Sequence, residues 1–192
     1  MWGFTSIKYP KFWHDYEQSF RDKSTYFIVL DTETTGLEVK KDQILSIGAV
    51  KIVNQEILLQ ETKEWFLPTN FELNDSVPVH GILPTEENTT AEIQILEEFL
   101  GFISNATLIG HHIDFDLQII NQLLKNNNLK NLKNKHIDTS EMYKKWKHWP
   151  LEQNISLDDL LHQLQIQPIG RHTALGDAFT TALAFLKLKK LV

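Results

Sequence analysis

The chain of 192 residues contains no cysteine, which excludes disulfide bonds and thiolate metal sites. It also lacks any run of about 18 apolar residues, so no membrane-spanning helix is predicted. The first ten residues lack a basic start, an apolar segment and a small-residue cleavage site, so we predict no signal peptide. Together these absences fit a reducing compartment, and we expect a cytoplasmic protein.

The chain also lacks an excess of basic residues, since its net charge is -6. This charge argues against a broad basic face that coats duplex DNA. It is compatible with an enzyme that grips a few nucleotides with the help of bound metal. Several lysines lie between Lys125 and Lys147, and we interpret them as a solvated surface rather than a guide for a nucleic-acid strand.

The pattern of apolar residues predicts an α/β domain. Strands are predicted over residues 26–30, 43–53 and 56–67, with a turn at Asn54-Gln55 between the last two. There follow a helix over 89–103 capped by Thr89 or Thr90, a strand over 106–109, a helix over 115–124 and a short strand over 136–138. Helices over 156–164 and 174–188 complete the order, which implies a mixed sheet flanked by helices.

The N-terminal residues 1–24 are predicted to form an aromatic extension to a main domain that spans residues 25–192. Phe12, Trp13, Tyr16 and Phe20 recur at helical spacing after Pro10. We expect a helix packed on the domain, and the alternative is an arm that docks on a peptide partner. A hydrophobic content of 42% is sufficient for a full core in a domain of this size.

Two carboxylates follow the first predicted strand, in the run Val29-Leu-Asp-Thr-Glu-Thr-Thr-Gly36. Residues two apart in an extended chain share a face, so Asp31 and Glu33 can bind the same ion. Gly36 lets the chain turn sharply or lets a ligand approach the backbone. Unpaired carboxylates at the end of a buried strand cost folding stability, and divalent cations are their natural partners.

A second acidic motif, Gly110-His-His-Ile-Asp-Phe-Asp116, follows the strand over 106–109 and opens a predicted helix. Asp114 precedes the helical pattern, so we interpret it as the helix cap. Asp116 precedes Ile119 and Ile120 by three and four residues and is therefore expected on or beside the buried face.

The third motif, Arg171-His-Thr-Ala-Leu-Gly-Asp177, leads into the last predicted helix. Asp177 is expected in the first turn of that helix, facing inward, although an acidic residue there is also ordinary helix-dipole chemistry. His172 is expected on the preceding loop. Histidine titrates near neutral pH, so it suits the role of a general base.

In this order, the three motifs resemble those of the DEDDh branch of the DnaQ-like 3′-5′ exonucleases. The resemblance covers about residues 26–188 and implies a ribonuclease H-like fold with a mixed five-stranded sheet. It implies that two Mg²⁺ or Mn²⁺ ions bind to four carboxylates and that His172 takes a proton from the attacking water. The implied metal ligands are Asp31, Glu33, Asp116 and Asp177.

The same resemblance implies contacts to the terminal nucleotide. The stretch Val79-His-Gly-Ile82 is similar to the family's Ile-His-Gly-Ile segment, which makes His80 a substrate contact. Backbone groups after the first strand are expected to hold the nucleotide, with Leu37 beside its base. The implied contacts after this strand are Thr34, Thr35, Gly36 and Leu37.

One position departs from the family. The family usually has Asn where this chain has His112, which puts the surroundings of the site in question more than its chemistry. We predict neither His111 nor His112 as a metal ligand, because carboxylate oxygens suit magnesium and manganese better than imidazole does.

The implied activity is a metal-dependent 3′-5′ exonuclease that releases nucleoside 5′-monophosphates from single-stranded 3′ ends. DNA is expected over RNA. The sequence contains no clear reader of a 2′-hydroxyl, so digestion of matched DNA and RNA oligonucleotides is the test that separates the two. The alternatives are a proofreading subunit of a DNA polymerase and an RNA-trimming exoribonuclease. An inactive binding module is disfavoured, because all five active-site residues are present. The chain ends directly after its last helix, so a stand-alone nuclease is expected; oligomeric state is left open.

Overall fold

The fold is built from strands and helices that alternate after an initial antiparallel hairpin. A computed structural model describes residues 8–68, 92–150 and 152–192. The described strands are β1 (Tyr26–Thr34), β2 (Ile44–Val53), β3 (Glu56–Phe66), β4 (Thr107–Gly110) and β5 (His136–Asp138). The described helices are α1 (Lys11–Ser19), α2 (Glu92–Ile103), α3 (Asp114–Asn126), α4 (Thr139–Lys147), α5 (Leu157–Gln163) and α6 (Ala174–Leu188).

The five strands form one mixed sheet in the order β3-β2-β1-β4-β5. Strand β2 runs antiparallel to β1 and β3, whereas β1, β4 and β5 are parallel. The hairpin turn lies at Asn54 and Gln55, both of which have positive φ, as predicted. The predicted α/β class and mixed five-stranded sheet are therefore confirmed.

Alternation along β1 supplies both faces of the sheet with core residues. Ile28 and Leu30 belong to a cluster that also contains buried residues of α1, α2 and α3. Val29 belongs to the cluster on the other face, where it meets Ala178 and Ala182 of α6. The sheet is thus covered by α6 on one face and by three helices on the other, and β1 is its buried centre.

The N-terminal helix is part of this core. Trp13 of α1 is fully buried, and Tyr16 is nearly so. The Tyr16 hydroxyl donates to Asn134 Oδ1 at 2.7 Å and accepts from the Lys133 backbone N–H at 2.8 Å. The predicted helix packed on the domain is confirmed, and it anchors the segment that leads into β5.

Two differences from the sequence-based expectations bear on the site. Strand β1 continues to Thr34 rather than ending at Leu30, because β2 pairs with it along this length. Asp31 and Glu33 therefore lie within a strand, not after it. Helix α4 was not predicted, although Asp138 caps it by accepting from the Ser140 N–H at 2.7 Å.

The other predicted elements agree with the structure within a few residues. The predicted caps Thr89 and Thr90 lie outside the described residues. The predicted substrate contact His80 lies outside them too. Within the part of the chain that is described, no helix has both the length and the apolar character needed to cross a bilayer.

Candidate active site

Strand β1 places Asp31 and Glu33 on the face covered by α6. Val29 packs on that helix, and residues two apart in a strand share a face. Asp31 and Glu33 therefore lie on the same face of the sheet as Val29. In the pairing of β1 with β2, Asp31 lies opposite Gly48 and Glu33 lies opposite Ser46. The ladder that fixes this register thereby directs both acids toward the start of α6.

Gly48 explains how α6 approaches so closely. A Cβ atom at this position would come within 2.2 Å of the backbone carbonyl carbon of Ala174, the first residue of α6. The helix is capped by Thr173, whose hydroxyl accepts from the Gly176 N–H at 3.1 Å. Its first turn is therefore held directly against the centre of β2.

Asp177 lies in that first turn and is buried, as predicted. Asp31, Glu33 and Asp177 each offer a carboxylate oxygen within 4.8 Å of the others. Two neighbouring carboxylates of β1 and one from the distant helix α6 thus form one carboxylate cluster of a size that fits a metal ion. Its ligand atoms are all hard oxygens, which suit Mg²⁺ or Mn²⁺.

Asp116 approaches the cluster from the other face. It lies in the first turn of α3, is only 6% exposed, and accepts a hydrogen bond of 2.6 Å from Thr32 Oγ1. Its charge raises the pKa of Asp31, so the two carboxyls are close, although Asp116 is not one of the three whose oxygens lie within 4.8 Å. Asp114 is the first residue of α3 and provides no side-chain cap, contrary to our expectation.

The carboxyl groups carry strongly perturbed pKa values. Burial raises the pKa of Asp31 well above its ordinary value, and the charges of Asp116, Asp177 and Glu33 raise it further. Burial, reinforced by the charge of Asp177, raises the pKa of Glu33 to about 7. Burial likewise raises the pKa of Asp116 to about 7, against the hydrogen bond from Thr32. A cluster of this kind resists ionisation until cations compensate its charge, so the residues present fit a divalent metal site.

An arginine that the sequence reasoning missed provides part of this compensation. Arg171 Nη1 forms an ion pair with Asp177 Oδ1, and its Nε donates to Asp158 Oδ1 at 2.7 Å. Burial acts to lower the pKa of Arg171, but the bonds to the two aspartates outweigh it and the pKa is raised. Its place directly before His172 was the available signal, because a cation next to an acidic motif has nearby partners.

His172 is exposed on the loop before α6 and has a left-handed backbone with φ 63°. It makes no hydrogen bond or ion pair with the described residues, so it is not gathered into the carboxylate cluster. An exposed imidazole on the loop that leads into α6 is open to water and to an incoming ligand. Its predicted position on the preceding loop agrees with the structure.

The loop after β1 is organised by Asp42, which the sequence reasoning did not single out. Asp42 accepts from Thr35 Oγ1 at 3.0 Å and from the Glu38 backbone N–H at 2.7 Å. Thr34 Oγ1 donates to the Gly36 carbonyl at 2.7 Å. This network presents Leu37, whose side chain is 83% exposed, to solvent beside the site.

The histidine pair of the second motif binds backbone and hydroxyl groups instead of carboxylates. His111 Nε2 and His112 Nε2 lie 2.9 and 3.0 Å from the Ile155 carbonyl oxygen. Burial, and then the neighbouring His112, lower the pKa of His111 to about 4, so His111 is neutral at pH 7. His112 has φ 57°, a left-handed conformation that Asn and His adopt more readily than most residues. The backbone thus accepts His where the family usually has Asn.

Comparisons with known proteins agree with this geometry. The profile of the exonuclease family matches residues 28–185. A PolC-type DNA polymerase III from Thermotoga petrophila is 32% identical over 178 residues, which are 92% of this chain and 13% of the polymerase. A 3′-5′ exonuclease DinG from Staphylococcus aureus is 31% identical over 173 residues, which are 86% of this chain and 19% of that protein.

Among solved structures, the zinc-bound complex of E. coli exonuclease I with single-stranded DNA shares the fold. It aligns with a TM-score of 0.74 at 16% identity, over 87% of this chain and 41% of that chain. The present chain spans only 13% and 19% of the two curated relatives. Because the matched segment extends from β1 to α6 and includes all three acidic motifs, the chain belongs to the exonuclease family, and it has a ribonuclease H-like fold.

Proposed function

We propose that the chain is a two-metal 3′-5′ exonuclease that releases nucleoside 5′-monophosphates from single-stranded ends, with DNA preferred over RNA. The observation that carries the proposal is the carboxylate cluster of Asp31, Glu33 and Asp177, with Asp116 beside Asp31. Buried acids with raised pKa values are costly to the fold, and such groups are concentrated at functional sites.

The four carboxylates would hold the cations. Asp31 is central, because the charges of the other three all raise its pKa, so it is the group best placed to serve both ions. When bound, two Mg²⁺ or Mn²⁺ ions supply the positive charge that activates water and stabilises the leaving oxygen in phosphodiester hydrolysis.

His172 would accept the proton of the attacking water. Its imidazole is exposed on the loop before α6 and forms no hydrogen bond with the described residues, so it is accessible to water, as a general base requires. The same loop carries Arg171, whose guanidinium pairs with Asp177 and Asp158 and stays protonated, so it cannot serve as the base.

Substrate binding would use the loop after β1. Backbone groups of residues 34–36 are held by the Asp42 network and would contact the terminal nucleotide, while exposed Leu37 would pack beside its base. His80 would add a contact from outside the described residues. A terminal base must leave the helical stack to be held in this way, which favours single-stranded ends.

The test is a panel of 5′-labelled oligonucleotides, DNA and RNA, single- and double-stranded, incubated with Mg²⁺, Mn²⁺ or EDTA. We expect a ladder of products that shorten from the 3′ end, only with metal, with 5′-monophosphates identified by chromatography. Asp31→Asn should abolish the ladder, and the matched control Asp114→Asn, on an exposed side chain, should not. Cleavage in EDTA, or degradation from the 5′ end, would refute the proposal.

A second candidate is the nuclease module of a DNA polymerase. It is favoured by one observation, the 32% identity to a PolC-type polymerase of which this chain spans 13%. Co-purification of a polymerase with the intact protein from its own cells would support this role. If no polymerase co-purifies and the isolated chain is fully active, the result would support a stand-alone enzyme.

A further inference from the structure

Helix α5 lies between the second and third acidic motifs and is attached to both by polar contacts. Its residues Leu160 and Leu161 pack in a small core with Tyr143 of α4 and Leu188 of α6. The same core contains Ile155 and has Leu157 packed against it, so apolar packing also reaches the N-terminal end of the helix. Hydrogen bonds that originate in the two motifs then tie this end to them.

The first attachment is the histidine pair. A carbonyl oxygen can only accept, so both Nε2 atoms that approach the Ile155 oxygen must carry their protons. Each Nδ1 lies within hydrogen-bond distance of a hydroxyl oxygen, Thr139 Oγ1 at 3.0 Å for His111 and Ser140 Oγ at 3.3 Å for His112, and the Thr139 hydroxyl also donates to the Gly110 carbonyl at 3.2 Å. Ile155 directly precedes Ser156, the cap of α5, so the pair holds the start of this helix against the second motif.

The second attachment is the arginine. Asp158 lies in the first turn of α5 and accepts from Arg171 Nε at 2.7 Å. The other end of the same guanidinium pairs with Asp177. The Arg171 side chain is 18% exposed and that of Asp177 is 11% exposed, so this pair is well shielded from water. The fixed fork of a guanidinium transmits position between its two partners, which a lysine cannot do.

We propose that Arg171, Asp158 and His112 are positioning residues, and that α5 is a brace that sets the orientation of the Asp177 carboxylate. The chain of contacts runs from the histidine pair through Ile155 and α5 to Asp158, and then through Arg171 to Asp177. This inference rests on the proposed function, since it concerns how a metal ligand is held. Partners that orient a metal-binding carboxylate generally affect metal affinity or activity by about 10–100-fold.

The strained backbone supports this assignment. His112 and His172 both have left-handed φ values, of 57° and 63°, which non-glycine residues adopt at a cost of about 1–2 kcal/mol each. The left-handed residue His112 is the one whose ring contacts Ile155. The left-handed residue His172 lies between Arg171, which pairs with Asp177, and the helix cap Thr173. Each strained residue thus adjoins one end of the brace.

The decisive variant is Asp158→Asn, because Asp158 is 65% exposed and does not belong to the cluster. We expect Mn²⁺ affinity, measured by electron paramagnetic resonance, to fall about tenfold. We also expect kcat on a single-stranded oligonucleotide to fall with little change in KM, while the melting temperature without metal changes little. Glu152→Gln, an exposed acid of the preceding segment, makes the same change in charge and should change neither affinity nor kcat.

Substitutions of the arginine separate positioning from charge. Arg171→Gln should weaken Mn²⁺ binding by about 10–100-fold, and Arg171→Lys should not restore it, because a single ammonium nitrogen does not reproduce the fixed spacing of the Nε and Nη1 donors. If Arg171 is merely a counter-ion that competes with the metal, Arg171→Gln will instead bind Mn²⁺ more tightly. That result would overturn the proposal.

The histidine end is tested by a double-mutant cycle. His112→Asn removes one of two hydrogen bonds to Ile155 but tolerates the left-handed backbone, so we expect a loss of roughly threefold in Mn²⁺ affinity. Combined with Arg171→Gln, it should add no further loss, because both act through the same helix. Additive losses would overturn the brace. A wild-type protein that neither binds Mn²⁺ nor cleaves would instead refute the proposed function itself.

Discussion

The most informative perturbation of the site is Asp116→Asn, which changes one buried charge and almost no volume. Asp116 is 6% exposed, and its carboxylate accepts a hydrogen bond from the Thr32 hydroxyl. Burial raises its pKa from 3.8 to about 7. Since one pKa unit corresponds to about 1.4 kcal/mol, ionising this side chain in the folded protein without metal costs about 4 kcal/mol.

Because folding raises the pKa of Asp116, the stability of the folded protein falls as the pH rises. A carboxyl whose pKa is raised by folding contributes stability that is complete below the unfolded value, here 3.8, and is lost as the pH rises through about 7. The asparagine variant has no such loss. Its amide must find partners for its N–H groups, which offsets about 1–3 kcal/mol of the gain, so we expect a net stabilisation of about 1–3 kcal/mol at pH 8.

The assay is urea denaturation of the two proteins at pH 5 and pH 8, in EDTA and in millimolar Mn²⁺. In EDTA at pH 8 the variant should be the more stable protein, and the difference should shrink at pH 5. In Mn²⁺ the order should reverse, because only the wild type recovers the cost of its charge by binding metal. Asp114→Asn, 77% exposed on the same helix, should behave like the wild type in every condition. A variant that is less stable in EDTA at pH 8, or equally stabilised by Mn²⁺, would refute the reasoning.

Three further predictions concern the base, the close approach of α6 and the substrate loop. His172→Ala should lower kcat by about 10²–10⁴ and remove the acidic limb of the pH–rate profile, and an unchanged profile would show that His172 is not the base. Gly48→Ala should destabilise the fold and weaken Mn²⁺ binding, because its Cβ would come within 2.2 Å of the Ala174 backbone; calorimetric unfolding and metal titration measure both effects. Leu37→Ala should raise KM for oligonucleotides by severalfold without lowering the melting temperature, since the side chain is 83% exposed, and an unchanged KM would remove it from the substrate site.

Much of the fold was accessible from the sequence because local patterns and tertiary structure agree. The aromatic spacing after Pro10 predicted a packed helix, and Trp13 is indeed fully buried. The capping pattern at Ser156 predicted α5, and its hydroxyl accepts from the Asp159 N–H at 3.1 Å. Helix α4 escaped prediction because it is only nine residues long and largely polar, so Met142, Tyr143 and Trp146 form only a short apolar stripe. Its cap Asp138 was the signal that remained.

In the site, too, some features could be predicted from the sequence and others could not. That Asp31 and Glu33 share a face follows from strand geometry alone, but the length of the strand that carries them depends on pairing with β2. The prediction for Asp114 was wrong because helix α3 begins one residue before the apolar pattern does. The sequence marked His112 as a departure from the family and placed Arg171 beside an acidic motif, but it could not give their partners Ile155 and Asp158, which lie 43 and 13 residues away.

By itself, the sequence determined which chemistry is available here, because carboxylates and an imidazole are recognisable from residue type and from spacing within each short motif. It also determined the class of fold, since apolar periodicity reports which segments are strands and helices. Only the tertiary structure decided that Asp177 meets Asp31 and Glu33, because that contact depends on Gly48 admitting α6 against the sheet. The electrostatic energies of buried groups depend on interatomic distances and on the local dielectric environment, and the tertiary structure sets both.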